Sequence, residues 1–347
     1  MPMRTDGIAE NQHYVPKLLL RPHAFNPGCA KGSEKVWCFD KLEDRTFPSN
    51  IRGVAASRKF YDLLIDGQAL SLEPFVTGIE DAAAAPFQQI VSDGSLSGLS
   101  HQQRRAITEF CAVQLVRTEA TRVQFRNAMG SMKAALVARG VDPLVLADLD
   151  SPDPDQMKLL DLKTVFNAPS DFADEFINKH WYLVSATVDE PFYIGDNPLV
   201  LDNEMDVKSG TGLKSPGVSI SLPLSPTLCL GMVDPKLVEE MRSDYRKARR
   251  LRAQRIKRSI KRQRKGLVTE PAEGDFADTD SLYRDGLGQL LSGGLVPSDT
   301  RSTQRFNSLQ TAFASRRVMS STEDFSIARE IINSGEHLRY APAFVVR

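Results

Sequence analysis

Polar residues with the clearest chemical capacity lie in three separated segments: His13, the pair Gln114 and Arg117, and the pair Asp196 and Asn197. An imidazole acts as acid, base or metal ligand near neutral pH. A carboxylate acts as general base or metal ligand, and a neighbouring amide can orient it. A guanidinium binds anions such as phosphates. Together these residue types would suit acid–base or metal-assisted chemistry on an anionic substrate.

Two of these segments also have a structural interpretation. His13 lies in the hexapeptide Asn11–Pro16, whose proline restricts the backbone. It is either a catalytic group or a histidine bonded within the core, and the structural role is favoured by about two to one for an isolated histidine. Asp196 follows the strand-like run Phe192–Ile194, and strand ends hold catalytic carboxylates rigidly. The alternative is an Asx turn leading into the next strand.

Gln114 and Arg117 are three residues apart on a predicted helix, and they share a face with Phe110 and Cys111. We therefore expect both polar side chains to be at least half buried. A buried arginine needs a carboxylate or a bound anion as its partner. Asp196 is a candidate partner, and a structural ion pair between helix and strand would explain both residues without catalysis.

The segment from Arg242 to Lys265 is the largest compositional anomaly. It holds thirteen Lys or Arg residues and one acid, Asp244, hence a net charge of +12; the whole chain is neutral, so the remainder carries −12. Basic residues at this density neutralise phosphates, which makes nucleic acid or another polyanion a candidate partner. The candidate nucleic-acid-binding residues are Arg246, Lys247, Arg249, Arg250, Arg255, Arg258 and Arg262.

Two other interpretations of this segment stay open. A charge run is usually a solvated face, and the acidic, flexible loop predicted over residues 268–281 would screen it. The thin apolar seam that begins with Val238 and Met241 would instead dock a protein partner. Tyr245 is the one aromatic residue of the segment, so base stacking is not indicated.

The elements that must position these residues are predicted from patterning. The predicted helices are Ser100–Ala138 (the core of a helical layer over 100–140, with Ser100 as N-cap), Ser170–Lys179, residues 236–267 and Glu323–Ile332. The predicted strands are Lys35–Phe39, Thr46–Ile51, Trp181–Ser185, Phe192–Ile194, Gly217–Leu222, Thr227–Met232 and Tyr340–Val346. Gly217–Leu222 and Thr227–Met232 are predicted to pair, and Pro223 and Pro226, which lie between them, require a sheet edge or a bulge at these prolines. Residues 66–80 and most of the final third are mixed, and residues 141–156 predict a loop.

These patterns predict one α+β domain over residues 1–347, in which small antiparallel sheets pack with the helical layer and the basic helix over 236–267 is an insertion. No run approaches the ~18 apolar residues that cross a bilayer. The four cysteines form neither a CxxC pair nor a zinc site with histidine. We therefore expect no membrane contact, mostly buried reduced thiols and a cytoplasmic location.

Five short motifs follow one another along the chain: Asn11–Pro16, Gln114–Thr118, Gly195–Pro198, Pro223–Pro226, and Asn333 followed by Arg339-Tyr340. Their order resembles the bacterial and phage domain of unknown function 4238, which has an opening HYVP-like motif, a Gln-x-x-Arg-Thr helix and a Ser/Gly-Asp-Asn-Pro strand end. This chain has Gly195 where Ser or Thr is more usual, and its long basic segment is larger than typical. The resemblance implies no particular activity. It does imply one site, to which Asn333 and Arg339 are added as substrate-binding residues.

The leading functional hypothesis is a nuclease-like hydrolase that acts on a phosphate-containing or nucleic-acid substrate, with a divalent metal as the candidate cofactor. Asp196 would be the base or a metal ligand, and the amide of Asn197 would orient it. His13 would be the acid–base group. Gln114 and Arg117 would bind the anion. This requires His13 and Asp196 to lie within about one substrate length. Whether the protein is an enzyme stays open. The alternative is a non-enzymatic nucleic-acid-binding or protein-interaction module that uses the basic helix.

Overall fold

The computed structural model describes residues 3–4, 10–65, 68–142, 154–203, 212–263 and 286–335 of the chain. Its helices are α1 (Lys17–Leu20), α2 (Glu73–Asp93), α3 (His101–Val116), α4 (Glu119–Ala138), α5 (Pro154–Ile177), α6 (Pro235–Gln263), a helical segment over 286–292 (α7), α8 (Thr300–Phe313) and α9 (Ser326–Asn333). Its strands are β1 (Met3–Arg4), β2 (Asn11–His13), β3 (Lys35–Asp40), β4 (Arg45–Asn50), β5 (Ala56–Arg58), β6 (Asp62–Ile65), β7 (Gln68–Ser71), β8 (His180–Ser185), β9 (Ile194–Gly195), β10 (Val200–Asn203), β11 (Val218–Ser225), β12 (Leu228–Val233), β13 (Leu295–Pro297) and β14 (Arg317–Ser320). The fold is α+β, as predicted.

The described strands form four small sheets. Their strand orders are β10-β11-β12-β8-β13, β4-β3-β14-β9, β1-β7-β6 and β2-β5. Pairing is antiparallel except where β13 runs parallel to β8. The predicted strands pair as β3 with β4 and as β11 with β12. The predicted runs Trp181–Ser185 and Phe192–Ile194, which lie on either side of a turn, belong to different sheets.

Pro223 lies in β11, which has neighbours on both sides over much of its length. β10 pairs with β11 only as far as Ser221, so Pro223 lies beyond the end of that ladder. On the other side, the register with β12 shifts between Pro223 and Ser225. Pro223 therefore lies at an edge on the β10 side and beside a register shift on the β12 side, and the predicted edge or bulge at that point is confirmed.

The helical layer consists mainly of α2, α3 and α5, and α2 also packs on β11. Both α2 and α5 contain an internal proline, Pro86 and Pro169. The helix predicted over Ser170–Lys179 is present as far as Ile177, but its predicted start was wrong, because α5 begins at Pro154, within the predicted loop over 141–156, and runs through Pro169. An internal proline removes one N–H and usually ends a helix. Here packing overrides it: the rings of Phe87 and Phe110 meet with centroids 5.0 Å apart between α2 and α3.

The predicted continuous helix over Ser100–Ala138 is divided in two. Ser100 forms the expected capping box with Gln103 at the start of α3. Arg117 then leaves the helical conformation, and the Thr118 side chain accepts the Thr121 N–H to start α4. The break falls at the arginine and threonine of the Gln114–Thr118 motif, so it sets the direction of both side chains.

A second layer is formed by α8, which packs against β9, β10 and β14 and also against α9. A cluster of Phe39, Tyr193, Val318 and Phe325 fills the space beneath α9. Patterning gave no helix at α8. Its buried face is largely polar, which removes the hydrophobic periodicity on which helix prediction relies; the buried residues are Thr303, Asn307, Leu309, Gln310 and Thr311.

Some expectations fall outside the described ranges, namely the acidic loop over 268–281, the strand Tyr340–Val346 and most of the loop over 141–156. Among the helices that are described, none has the length and apolar character needed to cross a membrane. Cys38, Cys111 and Cys229 are buried and Cys29 is half-buried, which confirms the expectation of mostly buried thiols.

Candidate functional site

The opening motif is fixed by hydrogen bonds to the start of β6. Gln12 is fully buried; its Nε2 donates to Asp62 Oδ1 at 2.6 Å, and its Oε1 accepts the backbone N–H of Tyr61 at 2.6 Å. Tyr61 is also fully buried, and its hydroxyl donates to the backbone carbonyl of His13 at 3.1 Å. These bonds hold the histidine backbone in one position.

The His13 ring is partly buried, with Nε2 3.0 Å from the Ile51 carbonyl oxygen. Because a carbonyl accepts, Nε2 carries the hydrogen and Nδ1 of the neutral ring has the lone pair. Burial lowers the pKa of His13, and the positive charges of Lys17 and Arg117 lower it further, against the bond to Ile51. His13 is therefore a neutral ring in a defined orientation, with Nδ1 as its basic atom.

Arg117 is the centre of a buried hydrogen-bond network. Its Nε and Nη2 both donate to Gln114 Oε1, at 2.8 and 2.6 Å, and its Nη1 donates to Glu80 Oε1 at 2.6 Å. Gln114 Nε2 then donates to the backbone carbonyl of Tyr14 at 3.1 Å. Arg117 and Gln114 are both fully buried, as expected. Burial would lower the pKa of Arg117, but Tyr61 and Glu80 raise it above its ordinary value.

Asp196 binds the turn between α8 and β14 through backbone groups. Its carboxylate accepts the N–H of Ser315 at 2.6 Å, of Arg316 at 2.9 Å and of Arg317 at 2.8 Å. Burial raises the pKa of the Asp196 carboxyl, and these three donors oppose the rise. Both carboxylate oxygens are thus occupied by the protein backbone. The expectation that Asp196 pairs with Arg117 was wrong, because Glu80 on α2 is the carboxylate partner of Arg117.

Asn197 joins the third motif to the second. Thr118 Oγ1 donates to Asn197 Oδ1 at 3.0 Å, and Asn197 Nδ2 donates to the Phe313 carbonyl at 3.4 Å. Since Gln114 Nε2 donates to the Tyr14 carbonyl, the Gln114–Thr118 motif connects the opening motif with the Asp-Asn-Pro strand end. Asp196 is also close enough to raise the pKa of Tyr14, although burial is the larger cause of that rise.

These connected segments fall within one family match. The family described as "Protein of unknown function (DUF4238)" matches residues 11–324, nearly the whole chain. The chain belongs to the DUF4238 family. No curated protein and no solved structure matches it.

The glycine at position 195 of this DUF4238 chain is explained by packing. A Cβ atom at Gly195 would lie 2.9 Å from the Gln310 carbonyl oxygen and 3.3 Å from the Ala314 Cβ. The Gly195 N–H donates to Gln310 Oε1 at 2.8 Å. α8 therefore approaches β9 too closely for a side chain at this position.

Sequence reasoning missed the carboxylates that α2 contributes. Glu73 is partly buried and seven residues from Glu80, so the two share a helix face. Burial raises the pKa of Glu73 to about 7, and the charges of Glu80 and Asp62 add to the rise while Arg117 opposes it. The Glu73 Oε2 is buried without a hydrogen-bond partner among the described residues. The Glu-x6-Glu spacing was visible, but it carries meaning only once α2 is recognised as a helix.

The part of the chain that the structure describes holds no candidate metal centre, and the cleft nearest the network is small. No group of three or more His, Cys, Asp or Glu residues there is arranged to hold a metal ion. A cleft of about 40 Å³ lies beside the network, lined by Val116, Thr121, Arg122, Leu160, Asp161 and Thr164. Arg122 and Asp161 pair across it at 3.3 Å. A cleft of this size holds about one water molecule, whereas sites for organic ligands occupy about 300–1,000 Å³.

Of the two late residues added by the resemblance, only Asn333 lies in the part of the chain that the structure describes. Asn333 is the last residue of α9, where it is exposed to solvent. Arg339 lies outside the described residues. Both positions also follow residue 324, where the DUF4238 match ends.

The basic helix α6 begins on the body of the protein and then becomes exposed. Asp234 Oδ1 accepts the Lys236 N–H at 2.8 Å, and Val238 is buried. Seven basic side chains beyond Asp244 are exposed: Arg246, Lys247, Arg249, Arg250, Arg255, Lys257 and Arg258. Among the described residues, Lys247 is the member of this set with an acidic partner, Asp244 at 3.1 Å. Arg262 lies in α6, but its side chain is outside the described part.

Proposed function

We propose that this DUF4238 protein binds nucleic acid through α6. The observation that carries the proposal is the set of seven exposed basic side chains on one helix, six of which have no acidic partner in the described ranges. An exposed cation that is not neutralised by its own chain can neutralise a phosphate and release a counterion condensed on the nucleic acid. The cytoplasmic location is part of this proposal, since buried thiols fit a reducing compartment.

The buried network supports a structural role for the motif residues. Both carboxylate oxygens of Asp196 and all three guanidinium nitrogens of Arg117 form hydrogen bonds to other protein groups. A group that binds substrate must exchange such a contact for one to the ligand, at a cost of about 1–3 kcal/mol for each buried bond that is lost. The exposed cations of α6 have no such cost.

The test is a four-residue variant of α6 against a matched control. Arg249, Arg250, Arg255 and Arg258 are replaced together by Ala, which keeps helix propensity high. The control replaces Lys31, Arg139, Lys163 and Arg301 by Ala, four exposed cations elsewhere on the chain. Both variants lose the same net charge, so a difference between them reports the placement of the charge.

We expect the α6 variant to bind a labelled duplex at least about tenfold more weakly in 0.1 M salt, and the control to stay within about twofold. The slope of log K against log salt should fall by up to about four, close to one for each phosphate contact removed. Equal losses in the two variants, or no binding by the wild type, would exclude α6 as the binding surface.

A second candidate is the nuclease-like hydrolase, and Glu73 is the observation that favours it. Its carboxyl has a pKa of about 7 and a buried oxygen without a hydrogen-bond partner among the described residues, and it shares the field of Arg117 with His13. A carboxyl whose pKa lies near 7 can give a proton to a substrate or take one from it, and the neutral His13 ring offers Nδ1 as a second proton acceptor.

This candidate is tested by incubating the full chain with DNA and with RNA, with and without Mg²⁺ or Mn²⁺. Glu73→Gln should abolish cleavage, and the exposed Glu323→Gln should leave it unchanged. An Asp196→Ala variant that is still folded and still cleaves would show that Asp196 is structural. Absence of cleavage by the wild type under all conditions would leave binding as the function.

A further inference from the structure

The basic side chains of α6 are spread around the helix rather than along one face. With about 100° per residue and Tyr245 at 0°, Arg249 lies at about 40° and Arg255 at about 280°. The other five exposed basic residues lie between these two angles. The exposed cations therefore span an arc of about 240°, and the remaining arc holds the seam formed by Tyr245, Ala248 and Ile256, together with the half-buried Arg252.

An arc of this width fits a groove better than a flat surface. A helix that lies on a flat anionic surface presents only the side facing that surface, and cations on the opposite side stay in water. A helix with its side chains is about 10–12 Å across, and the major groove of B-form DNA is about 12 Å wide. Inside that groove, cations on both flanks of the helix reach phosphates on both walls.

Two large exposed apolar residues within the arc, Leu251 and Ile260 (at about 60°), add to this fit. Leu251 is 57% exposed and lies at about 240°, among the cations. The floor of the major groove presents thymine methyl groups, which accept apolar contacts. A polyanion that is only a chain of sulfates or phosphates offers no such surface.

Other nucleic acids fit less well. Single strands are held by stacking of bases on aromatic side chains, and Tyr245, the one aromatic residue of α6, lies in the seam. The major groove of A-form RNA is deep and narrow, and side chains do not reach its floor. Resting on the proposed nucleic-acid function, we infer that the ligand is duplex DNA and that α6 enters its major groove.

Fluorescence anisotropy of the full chain with probes of one length and sequence tests the inference. We expect duplex DNA to bind at least tenfold more tightly than duplex RNA or single-stranded DNA at 0.15 M salt. A duplex whose cytosines carry glucosylated hydroxymethyl groups fills the major groove and should bind at least tenfold more weakly. A minor-groove-binding polyamide should leave the affinity for the plain duplex within twofold.

The two failures are distinguishable. Equal binding to all probes, loss of binding with the polyamide, or unchanged binding to the glucosylated duplex would overturn the major-groove inference while nucleic-acid binding stands. No binding to any probe would overturn both. A Leu251→Ala variant gives a second readout. If it binds duplex DNA more weakly than the wild type with an unchanged salt slope, the result supports the inference. If it binds every probe as tightly as the wild type does, the result opposes the inference.

Discussion

Arginine serves opposite purposes in two regions of this molecule. Arg117 is fully buried, and its guanidinium is bound by Gln114 and Glu80 inside the protein. Arg249 and Arg250 on α6 are exposed and have no partner among the described residues. A buried charge is tolerated only when the fold satisfies it, whereas an exposed cation contributes little to the fold and stays available to a ligand. Burial and pairing therefore separate the residues that build this protein from those that can bind to something else.

The largest expected effect of this contrast is on stability at Arg117. Arg117→Met should lower the free energy of unfolding by about 3–5 kcal/mol, because Glu80 and Gln114 would lose their buried partner. Arg249→Met on α6 is the matched control and should change it by less than about 0.5 kcal/mol. Urea denaturation followed by circular dichroism measures both. A loss below about 1 kcal/mol at Arg117 would break the comparison, because the network would then not be structural.

The next effect concerns pH and a buried histidine outside the network. His23 is fully buried, and neither ring nitrogen has a hydrogen-bond partner within the described ranges. Burial lowers the pKa of His23 to about 3. In the unfolded chain His23 binds a proton below about pH 6.5, whereas in the folded chain it stays neutral down to about pH 3. The free energy of unfolding therefore falls as the pH falls through this window. The loss from this residue should reach about 2 kcal/mol at pH 5.

Chemical denaturation of the wild type and of His23→Leu at pH 7 and pH 5 measures this loss. The wild type should lose about 2 kcal/mol more than the variant between these pH values. The exposed histidine of α3 provides the control, and His101→Leu should follow the wild type. A parallel decline in wild type and His23→Leu would show that His23 is not neutral in the fold.

The stability of the α3–α4 junction should be affected less. Thr118 starts α4 and donates to Asn197 Oδ1, so Thr118→Val removes a helix cap and a buried hydrogen bond without changing the side-chain shape. We expect a loss of about 1–2 kcal/mol. Thr164→Val is the control, since that hydroxyl is exposed and bonds within its own helix. Equal effects of the two changes would mean that the contact between the motifs contributes nothing.

What the sequence could predict follows the same division. The strand pairs, the α3 cap, the long α6 and the burial of Gln114 and Arg117 were readable, because each rests on local patterning. α2 begins in a stretch, residues 66–80, that patterning left mixed, and the predicted helix over Ser170–Lys179 began only after Pro169. Both helices contain an internal proline, Pro86 and Pro169, whose local effect tertiary packing outweighs. Since α2 was missed, Glu80 could not be recognised as the partner of Arg117.

The site depended on contacts that patterning does not give. The Asp196 carboxylate is bound by backbone N–H groups of residues 315–317, about 120 positions away, and backbone donors have no signature in side-chain identity. The break at Arg117 and Thr118 was invisible for a related reason. Both residues are tolerated within a helix, and it is the bond from Thr118 to Asn197 that favours the junction.

The smallest effect on stability is expected for the exposed basic side chains of α6. Arg250→Ala should leave the free energy of unfolding within about 0.5 kcal/mol, because the side chain is exposed and has no partner in the described ranges. The same change should lower the salt slope of nucleic-acid binding by about one. Urea denaturation and anisotropy titrations at several salt concentrations measure the two quantities on one preparation. A change in stability without a change in slope would place Arg250 among the residues that build the fold, and the division between the two regions would then not follow exposure.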